Sequence, residues 1–374
     1  MKKIYCVLTI IILIIVLILG AVFKNKKSIN IGVISTLSGL YSDHGVDVLN
    51  GVVMAAEDFN RKQKFYEPKI NLIIRDDKHD EESAKKAAHE LIDKKVAAII
   101  GPLTSKMALA INKIGDEREV LIISPTVTTT ELSGIDDYFI RLISSDEKIA
   151  ELTAKISKEH FHMKKVLIIY SDENKSYASS FKKGYLKNFL TDKDNMNNFY
   201  IKTKNDLLES YFPSIEDEIG GVLLIESPLD AAETVKNIRK LDTNIPIISS
   251  DWGFHKDFIV YGGKYIEGTY FITDYDENFS GEEFQKFKNK YLKNFNKNIS
   301  PSALFGYESM NILSGALKRY KGMSSKELKI EILSPGSNKF FLQPGKFDKY
   351  GDREKELYIF QIKNKKFKKI ELGK

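Results

Sequence analysis

The fold is decided by two short stretches, VAAIIGPLTS at residues 96–105 and VLIISPTVTTT at residues 120–130. Each begins as an unbroken apolar run, which is typical of a strand buried on both faces of a parallel sheet, and ends in a turn of small residues. A helix-like segment, Lys106–Glu117, follows the first turn, and a short helix at Thr130–Leu132 follows the second. This succession of strand, turn and helix predicts an α/β protein.

The two turns are candidates for an anion-binding site. A helix that begins just beyond a strand points free backbone N–H groups and the positive end of its dipole at the crevice above the sheet. Open parallel sheets bind ligands in that crevice. The hydroxyls of Ser105, Thr126 and Thr128 would add donors without charge, which suits a small carboxylate or a polar neutral molecule. The alternative is ordinary capping of helices by Ser and Thr, which is the commoner use of these residues.

The same alternation extends from these stretches in both directions. Before them, strands and helices are predicted at Ile29–Ile34, Val46–Lys62, Ile70–Arg75 and Glu81–Lys94. After a strand at Tyr138–Leu142, a second alternating set is predicted at Glu147–His160, Lys165–Tyr170, Tyr177–Leu190, Phe199–Lys202, Leu207–Glu218, Gly221–Ile225, Ala231–Leu241 and Ile245–Ser249. The pattern continues with Tyr265–Thr273, two helices around Gly281–Asn294 and Ser302–Tyr320, and a β-rich tail from Lys339. Two similar α/β halves without a Pro/Gly/Ser linker indicate lobes joined by several short crossovers.

Composition places the chain among ordinary globular proteins. Its 374 residues are enough for two sizeable domains, and 43% hydrophobic with 29% charged residues are ordinary values. The net charge is +6, but five lysines and no acidic residues lie within residues 1–27, which leaves about +1 for the rest. A nearly neutral body has no basic face for nucleic acid, so no nucleic-acid partner is expected.

Residues 1–27 are predicted to be a signal peptide or an N-terminal membrane anchor rather than part of the fold. A short basic start precedes an apolar run at residues 7–23, and lysines follow it. That run is about the minimum length for a membrane span. Cleavage after Ala21 would place the large Leu19 where a small residue is preferred, so a retained anchor is slightly favoured. The protein is therefore expected outside the cytoplasm, in the periplasm or on the outer face of the cytoplasmic membrane.

The cysteine content excludes several kinds of chemistry. Cys6 is the one cysteine and lies at the start of the apolar run, whereas a bacterial lipoprotein carries its cysteine at the far end. No disulfide, cysteine nucleophile or cysteine metal ligand is therefore expected in the folded part.

No motif in the sequence predicts an enzyme. The patterns G-x-S-x-G, Walker A, G-x-G-x-x-G and H-E-x-x-H are absent. His160 and His162 lie two residues apart and do not share a helix face, so a metal site there is not expected. The acidic cluster around His79 is better explained by a strand end followed by an acid-rich helix start; it comprises Asp76, Asp77, Asp80, Glu81 and Glu82. We expect neither catalysis nor a bound metal or cofactor.

Taken together, the segments resemble a known family. From about Ile29 onward the chain is similar to the type I periplasmic binding proteins, specifically the branched-chain amino acid or amide-type substrate-binding proteins of ABC importers, such as the Leu/Ile/Val-binding proteins. The matching segments are IGVISTLSG (31–39), GVVMAAEDFN (51–60), Asp76-Asp77, AIIGP (98–102), ISP (123–125), FIR (139–141), Gly306-Tyr307, GKFD (345–348) and Gly351-Asp352. No single segment is specific, but their order and spacing together are.

The resemblance implies a clamshell of two lobes, each a mostly parallel sheet flanked by helices, with three hinge crossovers between them. The crossovers are expected near Ser144–Lys148, Thr273–Asn278 and Asp352–Glu356. Lobe 1 would comprise residues 28–146 plus 275–354, and lobe 2 would comprise residues 147–274 plus 355–374.

The resemblance also assigns ligand-binding roles to residues of this sequence. In the amino-acid binders, a serine and backbone N–H groups in the turn after the third strand hold the ligand carboxylate, and that serine corresponds to Ser105. A carbonyl and a threonine in the turn after the fourth strand correspond to Thr126 and Thr128. An acidic residue of the second lobe, which receives the ligand's ammonium group, corresponds to Asp251, and a second-lobe aromatic corresponds to Tyr177.

Two further positions complete the predicted site. Trp252, the one tryptophan, is interpreted either as an aromatic that lines the cleft or as a loop residue that covers the core. His44 lies in the first loop, where relatives often have an aromatic, and would contact the ligand's side chain. Asp251 could instead serve as a helix N-cap or a turn residue rather than bind the ligand. Its side chain is shorter than that of the Glu in leucine-type binders, so its reach to an ammonium group differs.

The predicted function follows from this arrangement. A zwitterion held at its two ends by different lobes favours closure, because only the closed state satisfies both ends. The sequence therefore predicts a monomeric, non-enzymatic protein that delivers an amino acid or a related polar solute to the membrane subunits of an ABC permease. The alternative is an extracytoplasmic ligand sensor of the same fold, tethered to the membrane by its N-terminal segment and acting on a partner protein. A third hypothesis, an enzyme, would be supported only if the protein turned over a bound amide.

Overall fold

In a computed structural model, the chain forms two main β-sheets flanked by helices, as predicted. The structure describes residues 28–39, 41–190, 199–203, 219–241, 244–276, 279, 281–318, 324–334, 336 and 345–371. The predicted N-terminal segment, residues 1–27, and the predicted helix Leu207–Glu218 lie outside the described residues. Among the helices of the described residues, none combines the length and the apolar character that crossing a membrane requires.

The first sheet is entirely parallel. Its strands are β1 (Ile29–Ser35), β2 (Ile70–Asp76), β3 (Ile99–Ile100), β4 (Ile122–Ser124) and β5 (Phe139–Arg141). The connecting helices are α1 (Ser42–Lys62), α2 (Glu81–Asp93) and α3 (Ser105–Glu117), and a short 3-10 helix spans Thr130–Leu132. The five strands lie in the order β2-β1-β3-β4-β5, so the order changes direction between β1 and β3. Ligands of open parallel sheets bind at the carboxyl ends of the strands beside such a point.

The second sheet is parallel except at one edge. The remaining helices are α4 (Asp146–Glu159), α5 (Lys175–Phe189), α6 (Pro228–Lys240), α7 (Lys256–Gly262), α8 (Glu282–Phe295), α9 (Pro301–Leu317) and α10 (Ser325–Leu333). The remaining strands are β6 (Val166–Tyr170), β7 (Phe199–Thr203), β8 (Gly221–Ile225), β9 (Ile247–Ser249), β10 (Tyr270–Thr273), β11 (Lys346–Phe347), β12 (Arg353–Glu354), β13 (Tyr358–Ile362) and β14 (Phe367–Ile370). Seven strands form the sheet in the order β14-β13-β10-β9-β8-β6-β7, in which the pairs β10–β13 and β13–β14 are antiparallel and the others are parallel. β11 and β12 form a separate antiparallel pair.

Two glycines allow α1 and α9 to pack backbone to backbone. A Cβ atom on Gly51 would lie 2.0 Å from the carbonyl oxygen of Ala303, and one on Gly306 would lie 2.2 Å from that of Val48. No other residue fits at such distances. This contact brings the start of α9 beside the start of α1, where His44 lies.

Asp274 ties together the stretches in which the chain passes between the two sheets. The chain leaves the first sheet after β5, leaves the second after β10 and enters the second again before β13. The backbone N–H of Ser144 donates to Oδ2 of Asp274 at 2.8 Å, and the buried ammonium group of Lys355 lies 3.3 Å from its Oδ1. The predicted crossovers fall in these stretches, although Asn278 lies outside the described residues. The division of residues between two lobes stays a prediction.

Helix α1 begins at Ser42, earlier than the predicted start at Val46. Gly45, inside its first turn, has a low intrinsic helix propensity. A Cβ atom at this position would lie 1.7 Å from the carbonyl oxygen of Thr36, so the helix start packs directly on the segment that follows β1. Tertiary packing therefore selects the glycine and overrides its propensity.

Several other predicted bounds were wrong. Of the run Val96–Ile100, only Ile99–Ile100 joins the sheet, because these two residues alone pair with both β1 and β4. The predicted strand Tyr265–Thr273 begins only at Tyr270, since residues 263–268 form turns after α7. Helices α7 and α10 were not predicted. Helix α10 does carry a local signal, a capping box between Ser324 and Glu327.

Candidate functional site

The ends of strands from both sheets meet at a cavity of about 130 Å³. Residues that follow β3 and β4 form one side, and residues that follow β6, β9 and β10 form the other. All seven predicted site residues line this cavity: His44, Ser105, Thr126, Thr128, Tyr177, Asp251 and Trp252. The structure therefore brings the predicted residues together.

Ser105, the first residue of α3, presents an uncharged donor to the cavity. Capping of this helix is left to Thr104, whose side chain accepts a hydrogen bond from the N–H of Met107 at 3.4 Å. The Ser105 hydroxyl has no hydrogen-bond partner among the residues that the structure describes. It is therefore available to a ligand, and the backbone N–H groups and dipole of the helix start add to its attraction for an anion.

Side chains lock the turns after β3 and β4 against each other. The hydroxyl of Thr126 donates to the carbonyl of Leu103 at 2.5 Å, and that of Ser124 donates to the carbonyl of Pro102 at 2.9 Å. Ser124 also accepts a hydrogen bond from the N–H of Val127 at 3.2 Å. The Thr126 hydroxyl thus uses its proton within the turns, so it offers the cavity an acceptor rather than the predicted donor.

Thr128 connects the cavity to a buried acid, Asp146. The carbonyl of Thr128 accepts a hydrogen bond from the N–H of Asp146 at 2.9 Å. Both carboxylate oxygens of Asp146 are buried. Burial raises the pKa of Asp146 to about 7, which the nearby hydroxyls of Thr128 and Ser180 and the charge of Arg141 counteract only in part. This carboxyl group is therefore neutral in mildly acidic solution.

Asp251 contributes a carboxyl group from the second sheet's side of the cavity. The hydroxyl of Tyr177, near the start of α5, donates to its Oδ1 at 2.7 Å. Burial, together with the negative charges of Asp146 and Asp274, raises the pKa of Asp251 to about 7. Ser250, not Asp251, is the N-cap of the short 3-10 helix that follows β9, and Asp251 is the first residue of that turn, so of the two alternatives the turn position remains. No lysine or arginine of the described residues pairs with Asp251, so a cationic ligand would supply the missing charge.

Trp252 lies between aromatic side chains from both halves of the molecule. Its ring centroid is 5.3 Å from that of Tyr177, in an edge-to-face contact, and 6.1 Å from that of Tyr41. The half-buried indole also packs on the hydrophobic core. It therefore combines the two predicted alternatives, since it lines the cavity and covers the core.

Direct contacts join the two halves beside the cavity. The hydroxyl of Tyr41 donates to Oε2 of Glu173 at 2.9 Å, and Nε2 of His79 lies 3.3 Å from the carbonyl oxygen of Glu173. The hydroxyls of Thr130 and Ser180 lie 2.9 Å apart. Residues that follow strands of different sheets thus contact each other directly beside the cavity.

Two histidines form a third part of the wall. The ring centroids of His44 and His255 lie 4.5 Å apart, and Nδ1 of His44 is 3.3 Å from Oγ of Ser302. Burial lowers the pKa of His44 to about 3 and also lowers the pKa of His255. Both imidazoles are therefore neutral near pH 7.

Sequence reasoning missed several residues of the cavity wall. They come from elements that are distant along the chain: Tyr41, Phe254, His255, Asp274, Tyr275 and Ser302. Tyr41 had a usable signal, because it is an aromatic residue in the first loop, where the resemblance places one. Phe254 and His255 follow the predicted Asp251 and Trp252 in the same loop, a signal that was not used. For Asp274, Tyr275 and Ser302 the position depends on how α9 and the crossovers pack, which no local pattern reports.

Two parallel-sheet halves that enclose a cavity at their strand ends define a two-lobed ligand-binding protein. The chain belongs to the periplasmic binding protein family, because the sequence profile of that family matches residues 28–367. The predicted recognition of a type I fold, of the kind found in branched-chain amino acid binding proteins, is confirmed. Proteins of this family are solute-binding proteins rather than enzymes.

Solved structures show the same fold over nearly the whole chain. The leucine-binding protein LivK from Thermotoga maritima superposes with a TM-score of 0.79 at 21% identity, covering 92% of this chain and 98% of that one. LivJ from Streptococcus pneumoniae, a branched-chain amino acid transporter substrate-binding protein in complex with isoleucine, gives a TM-score of 0.80 at 21% identity, covering 91% and 98%. At this identity the likeness establishes the fold.

Sequence relatives match over shorter stretches. The Leu/Ile/Val-binding protein BraC3 from Rhizobium johnstonii is 29% identical over 143 residues, which are 38% of this chain and 39% of that protein. Glutamate receptor 2.2 from Arabidopsis thaliana is 30% identical over 151 residues, 40% of this chain and 16% of the receptor. The chain thus matches less than half of the length of these relatives.

Proposed function

We propose that this protein is an extracytoplasmic solute-binding protein that captures a small amino acid or a related polar solute between its lobes and delivers it to an ABC importer. The observation that supports this most directly is that the two sides of the cavity offer different groups to a ligand. Ser105 and the start of α3 offer uncharged donors from the first sheet, and Asp251 offers a carboxyl group from the second. A zwitterion has one end for each.

Holding the two ends from different halves couples binding to closure. A ligand that contacts both halves stabilises the arrangement in which they approach each other. In the proposed division, lobe 1 comprises residues 28–146 plus 275–354 and lobe 2 comprises residues 147–274 plus 355–374. The Asp274–Lys355 pair then lies at the hinge, where it holds the crossovers together while the lobes move.

The proposed setting is the outer side of the cytoplasmic membrane. Residues 1–27 act there as a signal peptide or, as the sequence slightly favours, as a retained anchor. The binding protein acts as a monomer, and its partners are the membrane subunits of an ABC permease.

Calorimetric titration of the full chain with the standard L-amino acids tests the binding function. We expect saturable binding of one or a few of them. For the best binder, the deaminated acid and the carboxamide each remove one charged end, and both should bind more weakly than the zwitterion. The proposal is contradicted if both analogues bind as tightly as the amino acid, or if no amino acid binds to the protein.

The second candidate function is a membrane-tethered sensor of the same fold. The similarity over 40% of this chain to a plant protein named as a glutamate receptor favours it, since receptors respond to ligands. Uptake of the radiolabelled ligand by cells with and without the gene separates the two functions. Loss of uptake supports delivery to an importer, and unchanged uptake supports sensing.

A further inference from the structure

A third part of the cavity wall is polar where an aliphatic ligand would need an apolar surface. His44 comes from the first turn of α1, His255 from the N-cap of α7 and Ser302 from the first turn of α9. The two imidazole rings lie 4.5 Å apart, and both line the cavity together with Ser302. His44 and Ser302 lie far from Ser105 and Asp251 along the chain, whereas His255 follows Asp251 by four residues.

One nitrogen of each imidazole ring already has a polar partner within the protein. Nδ1 of His44 is 3.3 Å from Oγ of Ser302. Nδ1 of His255 lies 3.3 Å from the backbone nitrogen of Asp257 and 3.1 Å from its Oδ2. Neither Nε2 atom has a hydrogen-bond partner among the described residues. Two neutral imidazoles with free Nε2 atoms can each donate or accept one hydrogen bond, depending on the tautomer.

An aliphatic side chain would leave both Nε2 atoms buried and unpaired, which is costly. A site built to hydrogen-bond a substrate rejects the analogue that lacks the matching group far more strongly than an apolar pocket rejects a wrong shape. The charges near the polar wall are of both signs, because Asp257 contacts His255, Asp274 is paired with Lys355, and Lys256 follows His255. The neutral imidazoles themselves bring no positive charge to an anionic side chain, so an uncharged group is favoured there.

A second cavity lies against part of the same wall. It has a volume of about 340 Å³ and shares Phe254, His255, Tyr275 and Pro301 with the first. The aromatic members of this shared wall offer flat surfaces on which a planar group can stack.

We propose that the polar wall of His44, His255 and Ser302 selects an amino acid whose side chain ends in an uncharged carboxamide. A carboxamide has both a donor and an acceptor, so it pairs with neutral imidazoles in either tautomer. This inference rests on the proposed function, since it assumes that a zwitterion occupies the rest of the cavity. It distinguishes this chain from the relatives that are named for leucine, isoleucine and valine.

Calorimetry on the full chain with glutamine, asparagine, glutamate, methionine and leucine tests the inference. The better-bound of the two carboxamides should bind about tenfold or more tightly than the similarly sized methionine or leucine, and more tightly than glutamate. His44→Phe and His255→Phe should each reduce the preference for the carboxamide over methionine. His89→Phe, on the exposed side of α2, is the matched control and should leave it unchanged.

The outcomes separate this inference from the proposed function. Tighter binding of leucine, methionine or glutamate than of both carboxamides overturns the inference and leaves the amino-acid binding function intact. No binding of any amino acid overturns both. An unchanged preference in the folded histidine variants overturns the assignment to His44 and His255. Should a variant fail to fold, the ranking of ligands by the unmodified chain still decides the question.

Discussion

The hydroxyl of Tyr177 donates to Oδ1 of Asp251 at 2.7 Å, and this contact orients the acid without giving it a counter-charge. The pKa of Asp251 is raised to about 7 by burial and by neighbouring carboxylates. Such a group gains most from a partner that brings a positive charge. The acid in the cavity is therefore held ready for a cation that the described part of the protein does not supply.

Replacing Asp251 by Asn should weaken binding of an amine-bearing ligand by roughly 1.5–3 kcal/mol, the usual contribution of a hydrogen bond to a charged group. Tyr177→Phe keeps the carboxyl group and loses only the neutral hydrogen bond, so it should weaken binding by roughly 0.5–1.5 kcal/mol. Calorimetry on both variants gives the two values. Equal affinity in the parent and in Asp251→Asn would remove Asp251 from the binding site.

Ligand affinity should depend on pH through the same carboxyl group. Below its pKa of about 7, Asp251 is protonated in the empty cavity and has no charge to offer an ammonium group. Above that value it is ionised, so affinity should rise as the pH is raised from 5.5 to 8. The rise should be absent in Asp251→Asn. A parent protein with constant affinity over this range would show that the ammonium group binds elsewhere.

Ser105→Ala should weaken binding of the ligand carboxylate by roughly 1–3 kcal/mol, because a buried charge-assisted hydrogen bond is lost. Ser324→Ala is a matched control, since it also removes a hydroxyl at a helix start, but in the capping box of α10, outside the cavity. It should lower stability by about 1 kcal/mol and leave affinity unchanged. If the two variants change affinity alike, Ser105 acts only through the stability of its helix.

Asp146 should make the folded state less stable as the pH rises. Its pKa is raised from the usual 3.8 to about 7 in the folded protein, so the folded state keeps a proton that the unfolded state releases between these values. Stability therefore falls across this range and stays low above it. Asp146→Asn removes this titration. Between pH 4 and pH 8, the free energy of unfolding of the variant should therefore rise by about 2–4 kcal/mol relative to that of the parent.

Urea unfolding at several pH values measures this effect. Asp251 contributes with the same sign, so Asp146→Asn should reduce the pH dependence of stability without abolishing it. The same slope in parent and variant would show that Asp146 has a solvated or paired carboxyl group in solution.

The repeating units of the fold were predictable because each depends on local pattern. Apolar runs that stop at small-residue turns mark the ends of β3 and β4, and the residues just beyond them, including Ser105 and Thr126, line the cavity as expected. Asp251, which also lines the cavity, was predicted from the resemblance, since nothing in its local sequence separates a ligand-binding acid from a turn residue.

The parts that were missed depend on contacts between distant segments. The polar wall exists because Gly51 and Gly306 let α9 approach α1, which brings Ser302 to His44. Likewise, Asp274 reaches the cavity because it joins Ser144 and Lys355. The periodicity of apolar residues describes single helices and strands, so it does not predict contacts between segments that are distant along the chain. Helix α10 was missed for a different reason, because its capping box was present in the sequence and not used.

Ligand binding should shift the fluorescence of Trp252, the one tryptophan of the chain, to shorter wavelength. Its half-buried ring lies beside Tyr41 from one half and Tyr177 from the other, so closure of the lobes removes water from the indole. Trp252→Phe should abolish the signal, which identifies its source. Calorimetry supplies the independent measure of saturation. Unchanged emission at a ligand concentration that saturates the calorimetric titration would mean that binding occurs without closure around Trp252, and the coupling of binding to lobe movement would then have to be abandoned.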